Sequence, residues 1–157
     1  MTPLNRKILA VIYVSFSKYG RKPRFLVVKD AEEGDWTFIS GTCEHRETYD
    51  KCAVREINEE TKGLISMKSL PKKTKRFQTV YQDKHVDVLF IPLRLTEERM
   101  KMMVEEFPNK ETYGRPELEE NTDMRFETMG QFMRRKNIWE FVRNLCNNST
   151  FLETCPK

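Results

Sequence analysis

Between Gly41 and Gly63 the chain carries a segment whose carboxylates constrain any fold built around it. Residues 47–60 contain no glycine or proline, and Gly63 stands just past them, where helices commonly end. A helix of about four turns is predicted there. On it, positions 49, 52, 53, 56, 59 and 60 form one row at i, i+3, i+4 spacing. The row starts as Tyr49, Cys52 and Ala53, which suit packing, and ends as Glu56, Glu59 and Glu60. An apolar face thus becomes three carboxylates within about one turn.

Such an ending is costly. Like charges at these spacings repel by roughly a few tenths of a kcal/mol per pair. The helix dipole also disfavours anions in the C-terminal half. A bound cation removes both costs, and oxygen ligands on a rigid element suit Mg²⁺ or Mn²⁺. The plainer alternative is a solvated acidic helix end, with Arg55 pairing Glu59 at i, i+4.

The rest of the chain frames this helix. Ile8–Val14 is a β-branched-rich run and predicts a central strand, with Arg24–Val28 returning as a hairpin after a turn over 17–23. Trp36–Ile39 predicts a third strand, ending at Gly41. Lys75–Tyr81 and His85–Leu95 flank a turn at 82–84, and Thr96 caps a helix carrying Met100, Met103, Val104 and Phe107. A loop from Pro108 to Asn121 leads to a short strand at Met124–Phe126. A last helix presents Ile138, Phe141, Val142 and Leu145. Strands interspersed with helices predict an α/β layered domain, and 157 residues without repeats predict one domain over 1–157.

The longest apolar run is far shorter than the ~20 residues a bilayer requires. No signal-peptide pattern follows Met1, so an intracellular, cytoplasmic protein with no membrane partner is expected. Cys43, Cys52, Cys146 and Cys155 form no C-x-x-C pair, and free thiols are expected in a reducing compartment. A zinc site built from Cys43, His45 and Cys52 lacks the usual ligand spacing.

The segment from Gly41 to Gly63 resembles the Nudix box, G-x5-E-x7-R-E-U-x-E-E-x-G-U, where U is aliphatic. Gly41, Glu47, Arg55, Glu56, Ile57, Glu59 and Glu60 match in register. The box should close on E-E-x-G, yet here Thr61 and Lys62 precede Gly63, as though one residue were inserted. The resemblance implies a Nudix-type α/β/α sandwich with a mixed sheet between helices, and hydrolysis of a nucleoside diphosphate linked to another group. It implies Glu56 and Glu60 as ligands of Mg²⁺ or Mn²⁺, and Glu59 as a ligand or the general base. Arg55 would orient Glu47 or a box carboxylate, and Gly41 would let the backbone approach the phosphates. A further acid from outside the box is expected at Glu119 or Glu120, although a solvated acidic loop is the simpler reading of each.

The stretch Cys52-Ala53-Val54-Arg55-Glu56 is most similar to the box of mRNA-decapping Nudix enzymes, including those of large DNA viruses. That makes 5′-capped RNA the favoured substrate, with 7-methyl-GDP released. Five basic residues in nine, Lys68, Lys72, Lys73, Lys75 and Arg76, would contact the RNA body, and Arg134-Arg135-Lys136 adds a second patch. The net charge of +4 does not by itself require a nucleic acid. Tyr13, Phe16, Tyr19 and Trp36 are aromatics that could stack a base, though strand aromatics are more often core. Alternative substrates are ADP-ribose, dinucleoside polyphosphates, dNTPs and diphosphoinositol polyphosphates. The non-enzyme alternative is a module that binds nucleotide or RNA without hydrolysis. Nothing in the sequence sets the oligomeric state.

Overall fold

In the computed structural model, which describes residues 5–16 and 20–157, the N-terminal apolar run forms β1 (Arg6–Val14). Ile8 through Ile12 are fully buried because this strand is covered on both faces. Side chains alternate across a strand, so Ile8, Ala10 and Ile12 enter one core while Leu9 and Val11 enter another. β2 (Arg24–Asp30) returns antiparallel, with Phe25 opposite Tyr13. Part of the expected turn between them, and all of Tyr19, lie outside the described residues.

The third predicted strand is divided at Phe38. β3 (Trp36–Thr37) pairs with β2, whereas β4 (Ile39–Thr42) pairs with the first half of β1 and sets Gly41 opposite Ile8. α1 (Tyr49–Glu60) starts two residues later than residue 47, because the Thr48 side chain caps it by accepting the Lys51 N–H at 3.1 Å. β5 (Lys75–Tyr81) forms one edge of the sheet, and β6 (Lys84–Leu93) lies between it and β1, parallel to β1. α2 (Glu97–Glu106) is capped by Thr96 as expected and runs into a 3-10 turn holding Pro108.

β7 (Asn121–Glu127) extends beyond the expected 124–126 and pairs with β2. The predicted last helix is instead the short α4 (Glu140–Leu145), preceded by α3 (Met129–Met133) and followed by α5 (Ser149–Thr154). Both additional helices had a readable start. Thr128 and Gln131 form a capping box on α3, and the Asn148 side chain accepts from the first turn of α5.

The seven-stranded mixed sheet separates two cores. On one face Cys52, Ala53, Ile57, Met103 and Phe107 cover Ile8, Ala10 and Ile12. On the other, Phe132, Val142, Leu145 and Phe151 cover Leu9, Val11 and Phe90. This is the α/β/α sandwich with a mixed sheet. Among the described residues, no helix is long and apolar enough to cross a membrane.

Two local expectations are corrected. Cys43 and Cys52 are not free thiols: they form a disulfide with a Cα–Cα separation of 5.2 Å, because the chain leaving β4 folds back onto the first turn of α1. Cys146 and Cys155 are free. Lys62 is not an insertion. The Lys62 N–H bonds to the Glu59 carbonyl at 3.1 Å and the Gly63 N–H to the Asn58 carbonyl at 2.8 Å, the two bonds of a Schellman ending. Lys62 itself takes the left-handed position that glycine favours, at φ 54°, and Gly63 follows at φ 79°. The Lys62 ammonium donates to the Phe107 carbonyl at 3.0 Å and lies 4.3 Å from the Phe107 ring centroid, which ties the end of α1 to α2.

Candidate active site

α1 delivers its acidic row to the edge of β4. Glu56 and Glu60 are only 6% and 5% exposed, which excludes the solvated helix end for these two. Glu56 lies against Gly41, where an added Cβ would stand 2.0 Å from the Glu56 carboxyl carbon. The absence of a side chain at Gly41 is therefore used to seat Glu56. Asn121 at the start of β7 donates from Nδ2 to Glu60 Oε1 at 3.1 Å, but Glu60 Oε2 is buried without a hydrogen-bond partner. Burial, reinforced by the Glu56 charge, pushes the Glu60 carboxyl well above the ordinary range. Burial also raises Glu56, against the charge of Arg55.

Arg55 organises the other carboxylates. Its Nε and Nη2 grip Glu47 at 2.8 and 2.9 Å, and its Nη1 reaches Glu56 at 2.8 Å and Glu59 at 3.3 Å. Nη2 also donates to the Thr42 carbonyl at 3.1 Å, fixing the guanidinium to the strand that carries Gly41. The Arg55 hydrogen bonds lower the Glu47 pKa, and Glu47 in turn raises that of Arg55. Glu47 also accepts the Glu44 N–H at 2.9 Å, so the loop entering α1 is closed around the same ion pair.

The two acids outside the box separate. Glu120 joins Glu56 and Glu60, with one oxygen from each within 4.8 Å of the others. The Ala31 N–H holds the Glu120 carbonyl at 2.8 Å. Burial raises the Glu120 pKa, as does the charge of Glu59. Glu119 is outside this cluster and accepts the Thr112 hydroxyl at 2.9 Å. Three converging carboxylates, one with an orphaned buried oxygen, are a hard-oxygen donor set that fits Mg²⁺ or Mn²⁺.

Beside the carboxylates opens a cavity of about 250 Å³ lined by Lys7, Asp30, Glu33, Asp35, Thr37, Ser40 and Trp139. Burial lowers the Lys7 pKa, helped by Lys84 and opposed by the charges of Glu60, Glu56 and Glu120. Ser40 adjoins Gly41, so the cavity and the carboxylates share β4. The Trp139 backbone N–H donates to the Trp36 carbonyl at 3.0 Å, and its ring packs edge-on against Tyr81 with centroids 5.3 Å apart. Neither Lys7 nor Trp139 stands out in the sequence. One closes a strand's polar start and the other sits between short helices.

The expected basic contacts do not form one surface. Arg76 is committed to ion pairs with Asp50 at 2.5 Å and buried Asp87 at 2.8 Å, so it clamps α1 to β6. Lys72 and Lys73 instead line a groove of about 570 Å³ with Tyr13, Ser15, Pro92 and Arg94. Lys72, Lys73, Lys75 and Arg94 make no ion pair among the described residues. The groove sits at the opposite end of β1 from Gly41, about 20 Å away by strand rise from Ile8 to Val14. In the second patch, Arg135 pairs with Glu127 at 2.7 Å and covers the Trp36 ring. Trp36 is thereby core, and Phe16 lies under Arg21.

The NUDIX domain profile matches residues 6–141. The chain belongs to the NUDIX family. With its box carboxylates intact, this Nudix chain is a pyrophosphohydrolase. No curated protein matches it in sequence. Solved structures share the Nudix fold. The C. elegans Ap4A hydrolase binary complex aligns with a TM-score of 0.58 at 17% identity, over 95% of this chain and 98% of that one. The NUDIX domain of Shewanella oneidensis NrtR, complexed with ADP ribose, aligns with a TM-score of 0.61 at 10% identity, over 98% and 91%. The MutT protein from Methanosarcina mazei Go1 aligns with a TM-score of 0.56 at 17% identity, over 90% and 89%.

Proposed function

We propose that the protein hydrolyses a nucleoside diphosphate linked to a second group, using Mg²⁺ or Mn²⁺ held by Glu56, Glu60 and Glu120. The observation carrying this reading is the buried, unpartnered Glu60 Oε2 inside a three-carboxylate cluster. A divalent cation there supplies neutralisation of charge on the diphosphate oxygens and makes the attacking water more acidic. Glu59 serves as the general base, accepting the water proton on a carboxylate that Arg55 holds in place. Arg55 and Glu47 are positioning residues. Their paired hydrogen bonds hold the guanidinium, whose Nη1 in turn donates to the base Glu59 and the ligand Glu56. Glu119 has no part in this arrangement, and the outside acid is Glu120.

The favoured substrate remains a 5′-capped RNA. The groove with Lys72, Lys73 and Arg94 supports it, since its distance from the carboxylates suits a strand of roughly six stacked nucleotides at 3.4 Å each. A small-nucleotide reading is supported by the fold shared with an Ap4A hydrolase and an ADP-ribose complex. The separating experiment follows product release from cap-labelled RNA, ADP-ribose, dinucleoside polyphosphates and dNTPs with Mn²⁺ at rising salt. Release of 7-methyl-GDP that weakens steeply with salt is expected for RNA. Turnover of small nucleotides alone would favour the second reading, and no turnover of any of them would overturn the hydrolase assignment.

A further inference from the structure

Cys43 and Cys52 are joined at the mouth of the acidic helix, where no step of the proposed hydrolysis uses either sulfur. Their bond is one of three links between the end of β4 and one face of α1. Beside it the Thr42 carbonyl accepts Arg55 Nη2 at 3.1 Å, and next to that Gly41 lies against the Glu56 carboxyl. Residues 43, 42 and 41 thus meet residues 52, 55 and 56 in order. The Cys43 N–H donates to the Arg6 carbonyl at 2.8 Å, so the cross-link also ties α1 to the start of β1. The ring that it closes contains Glu47, which grips Arg55 through bonds of 2.8 and 2.9 Å. Inside the ring, the Glu44 N–H donates to Glu47 Oε1 at 2.9 Å and the Glu47 N–H to the Glu44 carbonyl at 3.0 Å. Arg46 takes left-handed backbone there at φ 66°, a conformation that a non-glycine residue leaves when nothing holds it.

Stability alone is a poor account of this cross-link. The two cysteines are nine positions apart, and short loops gain least from closure. Cys146 and Cys155 stay free at the core on the other face of the sheet. We propose that the Cys43–Cys52 bond is a positioning cross-link for the Arg55 clamp, and that its reduction weakens cation binding and turnover. The inference rests on the hydrolase reading and adds redox control of the same site. The reductant is a dithiol. Its thiolate attacks the sulfur of half-buried Cys43, and fully buried Cys52 leaves with the electron pair of the S–S bond and takes a proton. The second thiolate of the reductant then attacks its own sulfur in the mixed disulfide and releases Cys43. Two electrons pass, the dithiol ends as a disulfide, and its two protons end on the protein thiols. The bonds of Arg55 to Glu47 and Thr42 still form in the reduced chain, so the site is loosened and not abolished.

The test compares the oxidised native chain with the same chain treated with dithiothreitol and desalted without air, each state checked by thiol titration in denaturant. Mn²⁺ affinity is read by electron paramagnetic resonance, and turnover on the capped RNA and nucleotides named above. Hydrogen exchange of the Arg55 Nε–H is read by NMR in the metal-free chain. Reduction is expected to weaken Mn²⁺ binding by about tenfold, to lower kcat/KM at limiting Mn²⁺ to a similar extent, and to speed the Arg55 exchange. Cys43→Ser should match the reduced native chain and no longer respond to the dithiol, and Cys52→Ala, which breaks the same bond from the other side, should behave alike. Equal Mn²⁺ affinity and Arg55 exchange in the two redox states would overturn the inference, even if reduction lowered the urea midpoint as a purely structural cross-link would. A dithiol response that persists in Cys43→Ser would overturn it too. Redox-dependent Mn²⁺ binding without cleavage of any substrate leaves the cross-link standing while the hydrolase reading falls. Mn²⁺ binding in neither state rejects both.

Discussion

Single residues at the site trade stability for chemistry. Glu56 and Glu60 are buried anions whose carboxyls sit above the ordinary glutamate range because burial penalises their charge. Gly41 permits this by leaving the space that the Glu56 carboxyl fills. Gly41→Ala is therefore expected to displace Glu56 and weaken Mn²⁺ binding by more than about tenfold, on the scale of perturbed ligand support. A binding isotherm checks this, and native affinity in the variant would show that the close contact is not needed. Glu59→Gln should retain the fold and the cation but lose roughly 10²–10⁴ in kcat, as general-base removal does. Steady-state kinetics decide it, and near-native turnover would transfer the base role to Glu120.

At this scale the sequence was informative where chemistry repeats at fixed spacing. Glu47, Arg55, Glu56, Glu59 and Glu60 lie on one helix and its approach, so their juxtaposition follows from helical geometry. Glu120, Asn121, Lys7 and Trp139 come from elements remote in the chain. Only strand order brings them to the same place: Glu120 was expected merely as one of two neighbouring acids, and no local pattern marks the other three.

Elements are held in register by polar clamps that local reading assigns to other tasks. Arg76 lies in a basic run that reads as a nucleic-acid patch, yet it neutralises buried Asp87 and reaches Asp50 on α1. Arg76→Ala leaves Asp87 buried and alone, and should cost about 3 kcal/mol, as loss of one partner of a buried pair does. Chemical denaturation measures this. A variant as stable as the native chain would return Arg76 to the surface patch.

The end of α1 carries a second such case. Lys62 reads as an inserted residue only if glycine is assumed at the left-handed position, whereas lysine adopts it and gains its contacts with Phe107. Lys62→Ala keeps the strained backbone and loses those contacts, while Lys62→Gly loses the contacts but relieves the strain. Lys62→Ala should accordingly be the less stable variant by about 1 kcal/mol. Equal melting of the two would deny the backbone cost. The strand break at Phe38 was equally unreadable, because pairing of β3 and β4 with different partners depends on sheet topology and not on periodicity.

Across the whole molecule, the sandwich was legible because β1 is apolar on both faces and the helices carry one-sided stripes. The molecule's pH response should follow from its clustered acids, of which Glu56 and Glu60 are buried and Glu120 is exposed. Glu56, Glu60 and Glu120 have raised folded-state pKa values, chiefly through burial. The folded, metal-free chain thus holds protons that the unfolded chain releases. Their contribution is fully present below the ordinary glutamate value of 4.5 and is lost as pH rises through the raised values. Glu47 has the opposite sign, but its lowered pKa places its loss below that window. Metal-free stability should fall with rising pH above about 4.5, and Mn²⁺ should reverse the slope, because ligands must be deprotonated to bind. Thermal melts against pH, with and without Mn²⁺, test this. Parallel curves would contradict it.

The most direct measurement is a Mn²⁺ titration of the native chain and Glu60→Gln, followed by the loss of free-ion electron paramagnetic resonance signal. The account predicts saturable binding by the native protein and an affinity lower by roughly 10–100-fold or more in Glu60→Gln. Unchanged affinity in that variant would contradict a cation site built on the unpartnered Glu60 oxygen.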